Sequence, residues 1–520
     1  MNIKNTLILI MVVTFVVGTA IFIDNAQNTK VPQKQTGVYS SDISNVALAK
    51  SPEIVSLKNG DSYDLTASVV KKQLNGKEVR VLAYNGSIPG PIITVPQGAE
   101  ITVNFKNDTD VDSTIHSHGV RLDNKFDGVV GVTQKVVKIG DSFTYKLKFP
   151  DPGAYWYHPH FRDDYGQEMG LYGNYIVVPT DKDYYSLVNK ELVLFLDDIL
   201  LKNGNIAPFN KGLSNHTLMG RFGNTMFLNG ETNYSQTVNK GDVVRFYLTN
   251  AANARIFNFS IPGAKMKLVG SDNGKYEKET FVDTIMISNS ERAIVEVLFD
   301  QPGSYTIESK TPDNTYALGT VTVSDTLTDT SYAVQFNTLR TNQDVIASID
   351  PHRFLFNKPA DKSLTLTLSM MGRGSMMQGN ETATDNNPEK IEWENTVGMM
   401  NAMSNSEMVK WKLVDQATKK ENMDIDWQFK KGDKVKIKIF NDPKSQHPMQ
   451  HPIHVHGQKF LVLSTNSVPT QDLVWKDTVL VQTGDTVEIL TAMENPGDWM
   501  IHCHIPEHIE SGMMLGFKIS

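Results

Sequence analysis

Cysteine is almost absent from this chain: 520 residues hold a single one, Cys503. An intramolecular disulfide is therefore excluded, and so is any zinc site built from several cysteines. There is no basic excess, since 58 acidic residues against 50 basic ones give a formal net charge of −8. That balance argues against nucleic acid as a partner, because proteins that bind it present a basic face. Long apolar runs are also missing, apart from Thr6 to Ile23 near the start. Long helical periodicity is scarce. What remains is a globular composition, 40% apolar and 21% charged, in a chain long enough for several domains.

The run from Thr6 to Ile23 carries no charge and is bracketed by Lys4 and Asp24. It is borderline for a bilayer, which takes about 20 apolar residues. It reads as an export signal or signal anchor over residues 1–24, followed by a polar linker over 25–49. With no Arg-Arg pair in it, a general secretory route is expected. The protein is then periplasmic, extracellular or held on the outer face of the cell membrane.

Past the leader the sequence repeats itself. Gly98 to Asn107, Gly241 to Asn250 and Gly432 to Asn441 each read as a turn glycine, a strand of period two and a closing asparagine. A second signature follows each copy: Pro152-Gly153-Ala154-Tyr155, Pro302-Gly303-Ser304-Tyr305 and Pro496-Gly497-Asp498-Trp499. Three copies of two signatures in register mean three homologous units. Short strands separated by Gly, Pro, Asn and Asp predict an all-β protein, each unit a sandwich or barrel. The expected units span residues 50–180, 188–325 and 360–520.

Ten of the 13 histidines fall in four clusters: His116-Ser117-His118, His158-Pro159-His160, His451-Pro452-Ile453-His454-Val455-His456, and His502-Cys503-His504 followed by His508. The first two belong to the first unit and the last two to the third. The middle unit is an internal control, with Phe257, Phe259 and Glu308 at the matching places. The fold therefore does not need histidine there, although a single isolated pair would read as ordinary core. In a strand, residues two apart point the same way, so each His-x-His offers two imidazoles side by side. Eight imidazoles are too many for one ion and suit a small copper or iron cluster, provided the first and third units pack face to face. Cys503 points away from its two histidine neighbours. With His451, His508 and Met513 it makes a thiolate, two imidazoles and a thioether, the blue-copper electron-transfer set. Two peptide units then join a one-electron acceptor to a multi-metal cluster, an arrangement suited to four-electron reduction of dioxygen to water.

These residues resemble those of the three-domain multicopper oxidases, the laccases and bacterial copper-efflux cuprous oxidases. All four copper motifs stand in order, and Asn85-Gly86-Ser87-Ile88-Pro89-Gly90-Pro91 is similar to the family's first-domain turn. The resemblance implies three consecutive cupredoxin-like Greek-key β-sandwiches and four copper ions. It implies type 2 copper on His116 and His454, and type 3 coppers on His118, His158 and His504 and on His160, His456 and His502. It implies type 1 copper on His451, Cys503 and His508, with Met513 axial. Asp127 stands where the family has a carboxylate that helps deliver protons to oxygen; a turn aspartate before Gly128 is the alternative. The position after His508, often a relay glutamate in bacterial members, is Ile509, flanked by Glu507 and Glu510.

The electron donor is read from methionine. Nine of 21 methionines lie within residues 370–423, among them Met370, Met371, Met376, Met377, Met399, Met400 and Met403. Their neighbours are polar turn formers rather than core residues, and soft thioethers bind copper(I). A methionine-rich insert at this place resembles the copper-efflux oxidases, and Met449, two before His451, matches a substrate-copper methionine of that group. His447 replaces an aspartate there. Copper(I) is the expected donor; small phenols, as for a laccase, iron(II), and copper sequestration without turnover are the alternatives. The insert is expected to lie over His508 and filter large phenols. One chain with three units makes a monomer adequate. His216 and His352 have no role in this scheme.

Overall fold

A computed structural model describes residues 37–370 and 390–520. The expected leader over 1–24, part of the linker, and Met371, Met376 and Met377 lie outside the described residues. Among the described residues, no helix is long and apolar enough to cross a membrane.

Apart from a two-stranded ribbon of Leu201–Lys202 and Asn205–Ile206, the described strands build three pairs of sheets. A five-stranded and a four-stranded sheet lie between Ile54 and Val178, a six- and a five-stranded sheet between Lys190 and Leu327, and a seven- and a five-stranded sheet between Lys362 and Ile519. In each pair the strand built on the first signature is central: Glu100–Asp108, Asp242–Asn250 and Lys434–Asn441. Their apolar residues alternate or run continuously, as strands buried on one or both faces require.

The closing asparagine does the same work three times. Asn107 Nδ2 donates to the carbonyls of Val111 and Val137, Asn250 Nδ2 to those of Arg255 and Ile287, and Asn441 Nδ2 to those of Met449 and Val481. Each amide is buried and ties down the main chain that approaches the next strand. In the outer units that strand is His116–His118 or His451–Val455. The second-signature glycines also share one conformation: Gly153, Gly303 and Gly497 have φ of 143°, 145° and 142°, a region that excludes side chains. They open the strands Gly153–His158, Gly303–Lys310 and Gly497–Cys503.

These paired elements set the histidine register. His116 lies opposite His158, and His454 opposite His502. In the middle unit Ser260, not Phe257, lies opposite Glu308, so the loss of histidine goes with a shifted pairing that sequence alignment alone does not show.

The buried apolar side chains explain why the outer units meet. Residues from Leu65 to Val177 and from Leu364 to Ile519 form one continuous cluster, joined by Phe209, Leu218, Met219, Phe222 and Ala254. The middle unit keeps a separate core of residues from Leu194 to Val323. Burial of apolar area is worth about 25 cal/mol per Å², so a shared core holds the first and third units face to face without a covalent link at the seam.

Candidate metal centre

The seam collects every paired histidine. All eight side chains are buried, from 0% exposed for His118 and His504 to 6% for His160. His118, His158 and His504 form one triad, with ring centres 5.8, 4.9 and 5.0 Å apart. His160, His456 and His502 form another at 5.2, 5.3 and 4.9 Å. His116 and His454 face each other at 5.7 Å. Each triad takes two rings from one outer unit and one from the other, so neither unit alone owns a complete set.

The hydrogen bonds determine which ring nitrogen is free. His116 Nδ1 donates to the Asp127 carbonyl at 2.8 Å, His158 Nδ1 to that of Pro159 at 2.7 Å, and His454 Nδ1 to that of Asp477 at 2.8 Å. In these three rings Nε2 is buried with no hydrogen-bond partner. His118 is reversed: Nε2 meets Asp477 Oδ1 at 3.0 Å and Thr478 Oγ1 at 3.1 Å, and Nδ1 is bare. His456 Nδ1 donates to Asp127 Oδ2 at 2.9 Å, and His502 Nδ1 to the Cys503 carbonyl at 2.8 Å. Their Nε2 atoms then face each other as two lone pairs 2.8 Å apart. Two acceptors at that separation repel unless a cation lies with them. Orphaned nitrogens and this opposed pair together fit a group of metal ions.

Burial, reinforced by the neighbouring rings, disfavours the charged form of seven of these imidazoles. His118, His158, His160, His454, His456 and His504 are held well below the usual histidine range, and His502 is lowered to about 4. A neutral imidazole is the form that binds metal.

A second group lies beside the first. Cys503 Sγ is 3.5 Å from His451 Nδ1 and 3.6 Å from His508 Nδ1, all three fully buried. Met513 is also fully buried, its N–H donating to the His508 carbonyl and its carbonyl accepting from Cys503 N–H. Burial pushes the Cys503 thiol up, so it becomes a thiolate only beside a cation. The sulfur group and the imidazole cluster share the strand Gly497–Cys503, and the His502 ring is hydrogen-bonded to the carbonyl of Cys503 itself.

His508 is covered. Trp411 lies over it at 4.3 Å and also meets His451 at 4.7 Å. Trp411 Nε1 donates to the Thr217 carbonyl, which holds Leu218 and Met219 of the middle unit against the site. The helix Gly398–Met403 clamps the same stretch: Asn401 Oδ1 accepts from Met219 N–H and Asn401 Nδ2 donates to the Gly220 carbonyl. On that helix Met399 is 81% and Met403 67% exposed, with Met400 partly so. Met370 is half-buried at the end of the strand Lys362–Met370. Met449 is fully buried in the shared core, so it is no surface methionine.

Several partners have no signature in the sequence. Asp477 and Thr478 anchor His118 and His454, and Arg292 of the middle unit holds Asp477; each sits among ordinary strand residues. Near His160, Asp163 Oδ2 stands 4.0 Å from Nδ1 and burial raises its carboxyl. Burial also raises Glu507 to about 8, and its Oε1 accepts from Asn253 Nδ2. Ile509 is buried and carries no proton.

Three family models described as multicopper oxidase match residues 66–182, 180–331 and 393–520. A multicopper oxidase of Staphylococcus aureus is 25% identical over 472 residues, covering 88% of this chain and 88% of that protein. A copper resistance protein A homologue of Pseudomonas syringae pv. tomato is 24% identical, covering 89% of this chain and 92% of that protein. The fold is similar to that of the Campylobacter jejuni multicopper oxidase described as a metallo-oxidase, with a TM-score of 0.67, 24% identity, and 92% of this chain and 99% of that one covered.

Proposed function

The chain belongs to the multicopper oxidase family, and we propose that it is a four-copper enzyme that draws single electrons from copper(I) and reduces dioxygen to water. The proposed ligand sets are Cys503, His451, His508 and Met513 for type 1 copper; His116 and His454 for type 2; and the two imidazole triads for the type 3 pair. Copper, when bound, supplies the one-electron redox steps and the reduction of dioxygen.

The chain's own residues do the rest. Asp127 keeps the proton on His456 Nδ1 and the carbonyl beside it keeps that of His116, so both Nε2 lone pairs point inward. His502 offers a hydrogen-bonded route from the Cys503 carbonyl to the cluster. Asp127, on His456, and Asp163, near His160, are the proposed proton carriers, in a chain whose residue after His508 is Ile509. The protein works as a monomer outside the cytoplasmic membrane, where copper(I) is a poison to be oxidised.

The observation that carries the choice of donor is the cover on His508. No part of that ring reaches solvent, and the helix that clamps the cover carries Met399 and Met403, four residues apart on one face. A bulky phenol has no ring edge to touch, whereas soft thioethers gather copper(I) at the surface. Oxygen uptake with copper(I), iron(II) and a dimethoxyphenol, each with and without added copper(II), tests this. Copper(I) is expected to have the highest kcat/KM, and Met399→Ala with Met403→Ala to raise KM for copper(I) alone. A faster reaction with the phenol, unaffected by that double substitution, would overturn it.

A further inference from the structure

The middle unit contributes no imidazole to the cluster, yet one of its side chains reaches the seam and touches both other units. We propose that Arg292 is a positioning residue for the metal centre: through Asp477 it dictates which nitrogen of His118 and of His454 faces inward. The inference rests on the ligand assignment proposed above.

Arg292 opens the strand Arg292–Phe299, and its side chain is completely buried. Nε donates to the Ala154 carbonyl of the first unit at 3.0 Å, two residues before Trp156, which stacks on His158. Nη1 donates to Asp477 Oδ1 of the third unit at 2.8 Å and Nη2 to Asp477 Oδ2, a two-point grip that fixes the carboxylate plane. Asp272 accepts from Arg292 N–H at 2.8 Å and also pairs with Lys476 Nζ at 3.0 Å, so the neighbouring charges are matched.

Asp477 passes that order to the rings. A carboxylate only accepts, so His118 Nε2, 3.0 Å from Oδ1, must carry the proton, and Nδ1 is left bare. The Thr478 hydroxyl donates to the same Oδ1 at 3.0 Å. The main-chain carbonyl of Asp477 accepts from His454 Nδ1, leaving its Nε2 bare. His118 and His454 stack at 3.7 Å, so one carboxylate and its own carbonyl align two rings from different units. The turn after His118 is shaped to admit the grip. Gly119 has φ +80°, and a Cβ there would come 2.3 Å from Asp477 Oδ2 and 2.8 Å from Arg292 Nη2. Lysine would keep the charge but lose the two-point geometry.

The test uses the full chain loaded with copper, as wild type and as Arg292→Lys and Arg292→Gln. Copper per chain, the blue type 1 absorption and the type 2 electron paramagnetic resonance signal are read together. Both variants are expected to keep the blue absorption, since Cys503 is untouched. At the cluster, copper affinity is expected to fall about 10- to 100-fold and the type 2 signal to change, more for Gln than for Lys. Wild-type copper content with an unchanged type 2 signal in Arg292→Gln would overturn the inference, and so would a parallel loss of the blue absorption, which marks a merely structural role. Nitrogen-15 spectra of histidine-labelled, copper-free wild type give a second reading that needs no variant: His118 protonated at Nε2 supports the inference, and at Nδ1 overturns it. Wild type that binds copper without blue absorption would instead strike the ligand assignment itself.

Discussion

Asp127 was legible in the sequence only as an even choice between a turn and a proton donor, and the structure puts it on two rings at once. It is buried, accepts a hydrogen bond from His456 Nδ1 at 2.9 Å, and lends its carbonyl to His116. Asp127→Asn can still accept from His456, so copper should stay bound while turnover falls. Asp127→Ala removes the acceptor and should lower copper affinity about 10- to 100-fold. Metal analysis beside oxygen uptake separates the two. His216 gives a pH test away from the ligands. Burial lowers it to about 3, against about 6.5 when unfolded. Between those values the unfolded chain binds a proton that the native one does not. Its contribution is therefore complete above pH ~6.5 and is lost as the pH falls through that window. Asn tolerates the φ of +61° at this position. In copper-free protein, denaturant unfolding between pH ~6.5 and ~4 should lose about 1.4 kcal/mol per pH unit less for His216→Asn than for wild type. The histidines were readable because they recur in pairs; Asp477, Thr478 and Arg292 were not, because a hydrogen bond across 185 residues leaves no local pattern.

At the scale of elements, the two signatures proved more informative than their composition. The asparagine that closes the first one bridges the same two carbonyl positions three times, and the glycine of the second takes one φ three times. Period and turn residues announced those strands, whereas the register of the middle unit was hidden: Phe257 aligns with His116 by sequence but does not pair with Glu308. The cover on His508 was expected from the methionine-rich insert over 370–423, part of which lies outside the described residues; Trp411 and the helix Gly398–Met403 both belong to that span. Trp411 lies on the ring, the main chain at Leu218 hydrogen-bonds to it, and the methionine helix holds the following residues from outside. Asn401 is the clamp, with two buried hydrogen bonds. Asn401→Ala should cost about 1–3 kcal/mol of stability and raise dimethoxyphenol oxidation relative to copper(I) oxidation. Thermal unfolding and paired rate measurements check both; an unchanged rate ratio would show that the clamp does not restrict access.

For the molecule as a whole, the first and third units share one apolar cluster and the middle unit has its own. In the proposed reading the imidazole cluster is complete only in the assembled seam, so removing copper should lower the unfolding temperature by mass action. In calorimetry that shift is expected in the transition of the joined outer units, with the transition of the middle unit moving less. Three all-β units were legible because their turns recur; that two of them merge was implied only by the need to bring eight imidazoles together.

The seam also imposes a calendar on biosynthesis. The four imidazoles of the first unit are complete by His160, but their partners across the seam come no earlier than His454 and no later than His504. A metal ion arriving earlier would meet only half of each ligand set. In the proposed reading the cluster can be filled only once the strand Gly497–Cys503 and His504 are seated against the first unit, so a full complement of cluster copper certifies that the polypeptide has closed correctly.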